Sequence, residues 1–358
     1  MHIALLIANN RYATTCYFAK GLQQALERQG VRVSTQSVQT SGIADLLDSF
    51  AVDPPDWTLS FSDLTCAGQS LGNVTQIPHF SYLLDPSAFF THHMEGSYSS
   101  LSCVDRSDVE FVKSMGFEKV HYLPHAVEPH FSEPVPWHQR EHDLVYFGSC
   151  LDLDAQLKRW QEVYTSEQVS LLQHLARQAL MTPLALWEIL MHAKVPYELF
   201  LTFYQELDHY VRAYDRIQLL ASLPAHRLEV WGDGPWQRYL PHVRCYPSIE
   251  FPQTLQRMQH AKVVVNSSVR FKQGFHERIF HAFAASTLVL TSYSPDIAQD
   301  FSQQICYWPG EWEKSHETIL KLEQSREDII SRSQEVILQQ HSWDQRASQI
   351  LTLLKQWH

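Results

Sequence analysis

Residues 261–292, AKVVVNSSVRFKQGFHERIFHAFAASTLVLTS, constrain the fold more than any other stretch of the chain. An apolar β-branched run, Val263 to Val265, gives way to a polar loop from Asn266 to Gly274. A short helical pattern follows, and a second apolar run, Leu288 to Leu290, ends in Thr291 and Ser292. Two apolar strands joined through a helix form a parallel pair. The loop and helix start carry Arg270, Lys272, His276, Glu277, Arg278 and His281. Open α/β sheets bind ligands at such junctions, where loop amides and the helix end favour anions and cations reinforce them.

The same alternation begins at the N-terminus. His2–Ala8 is a continuous apolar run, as in a central parallel strand. Residues 14–29 place Phe18, Leu22, Ala25 and Leu26 on one helical face, with Gly30 as a C-terminal cap. Val31–Val38 then alternates as a second strand, and this βαβ opening predicts a doubly wound sheet. Trp57–Phe61, Ile77–Leu84, Leu101–Val104 and Lys119–Leu123 read as further strands, with a helix at Ser107–Met115. Residues 128–143 hold three prolines and read as a linker between a first domain, 1–127, and a second, 144–340. Leu144–Phe147 opens the second sheet and Arg227–Trp231 continues it. Residues 152–222 read as helical throughout, either an insertion or an expanded crossover. Helices are expected at about 313–323, 325–340 and 344–357, with 341–358 crossing back to the first domain.

Composition narrows the function. The 358 residues suffice for two cores, with 44% hydrophobic and 19% charged residues. A net charge of −11 with interleaved signs argues against nucleic acid as a partner, while leaving room for a local basic pocket. Six dispersed cysteines without a CxxC pair predict reduced thiols and a cytoplasmic protein rather than a metal cluster or disulfide framework. The N-terminus has no basic region before its short apolar run, and no stretch of 18 apolar residues occurs, which leaves peripheral membrane contact open but predicts no spanning helix. Ala8–Tyr12 lacks GxGxxG, and no Walker A sequence, GxSxG elbow or HExxH is present.

On the helix from 277, a rotation of 100° per residue puts Glu277, His281 and Ala284 on one face and Ile279 and Phe283 on the other. A carboxylate, an imidazole and a small residue, next to Arg270 and Lys272, are groups that a sugar–ribose–diphosphate ligand requires, and an amphipathic helix whose polar face is simply wet has the same pattern. Gly232 and Gly234, in GDGPW, read either as a plain turn or as a site of close backbone approach, and Gly148 with Ser149 reads the same two ways. Lys158 and Arg159 reach either phosphates or solvent.

Residues 278–286, RIFHAFAAS, resemble the R-x-F-E-A-L-A-x-G pattern of GT-B glycosyltransferases, in particular the CgeB-like and group 1 families. Val120–Val127, Asp143–Ser149, Leu228–Pro235 and His341–Arg346 resemble further blocks of those families in the same order. The ribose-binding glutamate of that pattern is His281 here, its closing glycine is Ser286, and the glutamate eight positions earlier in retaining relatives is Gln273. The resemblance implies two Rossmann-like domains facing across a cleft. The second would bind a nucleoside-diphosphate sugar through Gly148, Ser149, Gly232, Gly234, Arg270, Lys272, His276, Glu277, Arg278 and His281. It further implies a bacterial-type transferase that needs no metal or cofactor, acting on a glycan, lipid or protein acceptor, retaining or inverting. Catalytic candidates are Glu277 and, from the first domain, His79, Asp85 and His125, with Asp63, His92 and His93 on neighbouring loops. A non-catalytic nucleotide-sugar-binding or assembly protein, and an epimerase or hydrolase on the same scaffold, are the alternative readings.

Overall fold

A computed structural model of the chain describes residues 1–8, 12–38, 43–62, 64–66, 68–90, 96–128 and 134–357. The chain divides into two compact units, one of Met1–Pro129 with Ile337–His358 and the other of His130–Val336. Asp63, His92 and His93 lie outside the described residues.

The first unit begins with β1 (His2–Ile7), α1 (Thr14–Arg28), β2 (Arg32–Ser37), α2 (Ile43–Val52) and β3 (Trp57–Phe61). A small antiparallel pair, β4 (Thr65–Cys66) and β5 (Gln69–Ser70), leads into α3 (Leu71–Thr75) and β6 (His79–Leu83). The unit continues through β7 (Ser99–Cys103), α4 (Arg106–Ser114) and β8 (Val120–Tyr122). Its sheet is all parallel, in the order β2-β1-β3-β6-β7-β8. The apolar runs are central strands for the expected reason: Ile3–Leu5, Leu59, Phe80 and Leu101 are covered on both faces. Phe18, Leu22 and Leu26 bury the predicted face of α1.

The second unit holds β9 (His142–Phe147), α5 (Leu153–Val163), α6 (Ser166–Met181), α7 (Leu186–His192), α8 (Tyr197–Ala221) and β10 (Leu228–Trp231). After these come α9 (Trp236–Tyr239), β11 (Arg244–Tyr246), α10 (Phe251–Gln259), β12 (Ala261–Val265), α11 (Glu277–Ala284) and β13 (Leu288–Leu290). Then follow α12 (Pro295–Asp300), α13 (Ser315–Gln324) and α14 (Arg326–Gln340), the last of which runs on into the first unit's segment, and α15 (Trp343–Gln356), which belongs to the first unit. The order β11-β10-β9-β12-β13 is again all parallel. It reverses direction between β9 and β12, and that reversal is where such sheets open a crevice at their carboxyl ends.

Three features differ from the sequence expectation or decide between its branches. The helices α5–α8 connect two hydrogen-bonded parallel neighbours, β9 and β10, so the 152–222 segment is an expanded crossover. The edge strand β11 was not expected, because three residues with an exposed arginine carry no apolar alternation. β9 starts at His142, inside the expected linker, and Arg140 just before it is buried. Its guanidinium donates to Ala261 O at 2.7 Å, Thr287 Oγ1 at 2.9 Å and Ser286 O at 2.8 Å, which ties this segment to the amino ends of β12 and β13.

Candidate functional site

The carboxyl ends of β9 and β10 are joined backbone to backbone. Gly148 N–H donates to Trp231 O at 2.9 Å, Cys150 N–H to Asp233 O at 2.8 Å, and the Trp236 indole to Gly148 O at 3.0 Å. A β-carbon at Gly232 would lie 2.0 Å from Gly148 O, and one at Gly234, where φ is +99°, 2.1 Å from Cys150 O. Both glycines are therefore required by the contact of the two loops. Asp233, between them, accepts from the Ser248 hydroxyl at 2.8 Å and so fixes the loop after β11.

Beyond β12, Asn266 is fully buried. Its N–H donates to Leu290 O at 2.8 Å, its amide to Thr291 Oγ1 at 3.1 Å, and its Oδ1 accepts from Arg278 Nη1 at 2.9 Å. Arg278 is buried in the first turn of α11, 5.4 Å from the centroid of the Tyr146 ring, and burial lowers its pKa. His276 caps the same helix by accepting the Arg278 N–H on Nδ1 at 3.3 Å, yet that nitrogen also lies 2.7 Å from Glu277 Oε2. The two contacts are alternatives, decided by which ring nitrogen carries the proton. Burial lowers the His276 pKa against the opposing pull of Glu277.

A further group comes from α8. Arg216 Nη1 donates to Ser149 O at 2.8 Å, while its Nε is buried without a hydrogen-bond partner among the described residues. Its positive charge is felt at Arg278, His276 and Cys150, which places it over the same carboxyl edge. Neither Arg216 nor Arg278 has a carboxylate within ion-pair distance among the described residues. The preceding residue, Asp215, is buried and accepts from the Ser267 hydroxyl at 2.6 Å and the Trp312 indole at 2.8 Å. Burial raises its pKa against both hydrogen bonds.

The expected cations from the 266–274 loop are differently engaged. Arg270 grips the buried Asp208 of α8 with Nε at 2.8 Å and Nη2 at 2.7 Å. Burial raises the Asp208 pKa, but Arg270 and Arg212 outweigh it and hold the carboxyl below its usual range. Lys272 donates to Ala179 O at 2.7 Å and Thr182 O at 3.1 Å, the carbonyls that end α6. Arg159 pairs with the buried Glu206, and Lys158 stands in solvent near Glu162.

The face of Glu277, His281 and Ala284 is not a wet one. His281 is fully buried and meets Phe251 edge-to-face at 5.0 Å and 78°. Phe275, Phe280 and Phe283 close around Phe301 on other sides of α11. Only Glu277, with 22% of its side chain exposed, reaches outward from the first turn. Angular spacing ranks the faces of a helix, but a helix packed on all sides has no polar side to assign.

Residues 212–352 match a family described as Glycosyl transferase-like. Among curated proteins, none matches the sequence. Solved structures similar to this chain include an α-glucosyltransferase in complex with UDP, at TM-score 0.62 and 9% identity over 99% of this chain and 100% of that one. They also include a glycosyltransferase involved in avilamycin A biosynthesis, at 0.59 and 12% over 99% and 97%. A third is sucrose-phosphate synthase from Thermosynechococcus elongatus, at 0.59 and 10% over 99% and 98%. The fold is GT-B.

In the first GT-B unit the three candidate bases are spread through the sheet. His79 stands at the amino end of β6, fully buried, with Thr58 Oγ1 2.8 Å from Nδ1 and Ser60 Oγ 3.1 Å from Nε2. Burial lowers its pKa to about 4. His125 is also buried, beside Phe18, and its carbonyl accepts from Arg346 at 3.0 Å. Asp85 is exposed, two residues past the carboxyl end of β6. No helix among the described residues is long and apolar enough to cross a membrane. Arg216 had no signal of its own in the sequence, since two arginines four residues apart on a 25-residue helix, Arg212 and Arg216, have the pattern of a solvated face.

Proposed function

We propose that this protein transfers a sugar from a nucleoside-diphosphate sugar to an acceptor hydroxyl. The observation that carries this reading is the pair of guanidiniums, Arg216 and Arg278, that make no ion pair among the described residues, at the carboxyl edge where the second sheet's strand order reverses. Arg278 is buried with no carboxylate at ion-pair distance among the described residues, which is costly, and a bound diphosphate offsets that cost. The solved α-glucosyltransferase of the same fold holds UDP, which makes a uridine diphosphate sugar the first donor to test.

In the reaction, the acceptor oxygen forms a bond to the anomeric carbon as the bond from that carbon to the β-phosphate oxygen breaks. The diphosphate leaves with the bonding pair, and Arg216 and Arg278 stabilise its charge without a metal. Gly148, Ser149 and the Gly232–Gly234 turn supply the rigid edge against which it lies. Glu277 accepts a hydroxyl of the sugar or ribose, and His276, by moving its proton between ring nitrogens, sets whether Glu277 is held or released. The acceptor proton passes to a general base, and of the expected candidates Glu277 and Asp85 are the carboxylates with exposed surface. The acceptor is a glycan, lipid or protein, and the setting is cytoplasmic, as for a CgeB-like enzyme. Arg270 and Lys272 fix the 266–274 loop to α8 and α6 and so act by positioning.

The test compares wild type with Arg216→Ala and Arg216→Lys by calorimetry with UDP and UMP, and by release of UDP from UDP-sugars with candidate acceptors. Arg216→Ala should weaken UDP binding by about tenfold or more, a charge-assisted contact of about 1.5–3 kcal/mol, and leave UMP binding nearly unchanged. Unaltered transfer by this variant would sink the assignment. UDP-sugar binding with no turnover under any acceptor would favour the non-catalytic binding reading.

A further inference from the structure

The expanded crossover encloses a second concavity. A cavity of about 360 Å³ lies among α5, α6, α8 and the segment at Trp312. Along α8, the rings of Tyr210 and Tyr214 are stacked at 5.9 Å and 20°, and Tyr214 meets Trp312 at 5.9 Å and 65°. Trp160, fully buried, backs Tyr210 at 5.0 Å. The row is thus held rigid from behind and presents ring area to the cavity. Gln173 and Arg177 from α6 also line it, together with the aliphatic side chains of Leu157, Ala176, Leu180 and Met181.

This is a particular chemistry. Aromatic faces carry a negative quadrupole and attract the polarised C–H groups of a pyranose ring. A planar amide and a guanidinium meet ring hydroxyls or a carboxylate with paired donors. The volume falls in the range of small-molecule sites. A wall separates the cavity from the nucleotide edge: Trp312 donates to Asp215, and the other oxygen of Asp215 holds Ser267 in the loop after β12.

We propose that this cavity is a saccharide subsite, distinct from the nucleotide edge and able to hold one or two pyranose units of a glycan. It stands on the aromatic row and its polar counterpart, and does not depend on the transfer reading. Binding is measured by saturation-transfer NMR with maltotriose and trigalacturonate, each with excess UDP present and with decanoate as an apolar control. At least one oligosaccharide should bind with UDP present. Its affinity should fall about tenfold in Tyr214→Ala and in Arg177→Met, the second a substitution at an exposed position that spares the fold. Tyr214→Phe should retain most of the affinity, and Arg216→Ala, which weakens UDP binding, should leave it unchanged. The proposal fails if neither oligosaccharide binds, if UDP displaces the one that does, if both cavity variants bind it as wild type does, or if decanoate alone binds.

Discussion

His79 shows how placement decides what a titratable side chain can do. Its residue type fitted a general base, but its strand position put both ring nitrogens onto hydroxyls inside the sheet. The native state excludes a proton that the unfolded chain binds with a pKa near 6.5, and takes it only near pH 4. Stability therefore falls as the pH drops from about 6.5 towards 4. His79→Asn should remove this dependence, so urea unfolding of the wild type should lose about 3 kcal/mol more over that range than the variant does. Equal slopes for the two proteins would show that His79 titrates normally in the fold. Ser286 is the opposite case, a departure readable in sequence whose consequence is local. It keeps the left-handed φ of +58° that its position after α11 demands, and its hydroxyl accepts from Gln334 at 2.6 Å.

At the scale of elements, the helices of the second unit were legible in extent but not in orientation. The 3.6-residue pattern marked 152–222 as helical and bounded α13, α14 and α15 within about two residues. It could not show that α8 carries three buried carboxylates, Glu206, Asp208 and Asp215, each answered from a different element. Buried ions are fixed by partners distant in sequence, and periodicity holds no information about those partners. The same reason hid the role of Arg270, whose counter-ion lies 62 residues earlier. Asp208→Asn should remove the carboxylate that Arg270 and Arg212 share, at a cost of about 3 kcal/mol in urea unfolding. A loss below about 1 kcal/mol would mean that water reaches this pair. The β-strands were easier to find, because β1, β9 and β12 carry apolar runs that are covered on both faces. The proposed site falls in the stretch the sequence singled out, the carboxyl edge near 266–278, but rests in part on other side chains than those expected.

On the scale of the whole molecule, the first unit is closed by the end of the chain. Trp343 packs 5.8 Å from Phe18 and 5.9 Å from Phe61, Val127 N–H donates to His341 O at 2.9 Å, and Arg28 pairs with Asp344 at 2.8 Å. Ending the chain after Gln340 should strip this cover from α1. Hydrogen exchange should then report deprotection across β1, β3 and β6, with β9, β10 and β12 of the second unit still protected. Protection unchanged in β1 would show that α15 is dispensable for that core.

The glycine contact between the β9 and β10 loops has a consequence for how this protein can change. In most doubly wound sheets the loops at the carboxyl edge are free to lengthen and diverge, and ligand preference drifts with them. Here two of them are sealed against each other with no space for even one methyl group. Under the proposed function, new donor preferences would arise through side chains on α8 or in the first turn of α11. Laboratory selection for altered sugar nucleotides should therefore accumulate substitutions at those helices, around Arg216 and Glu277, and leave residues 148 and 232–234 untouched.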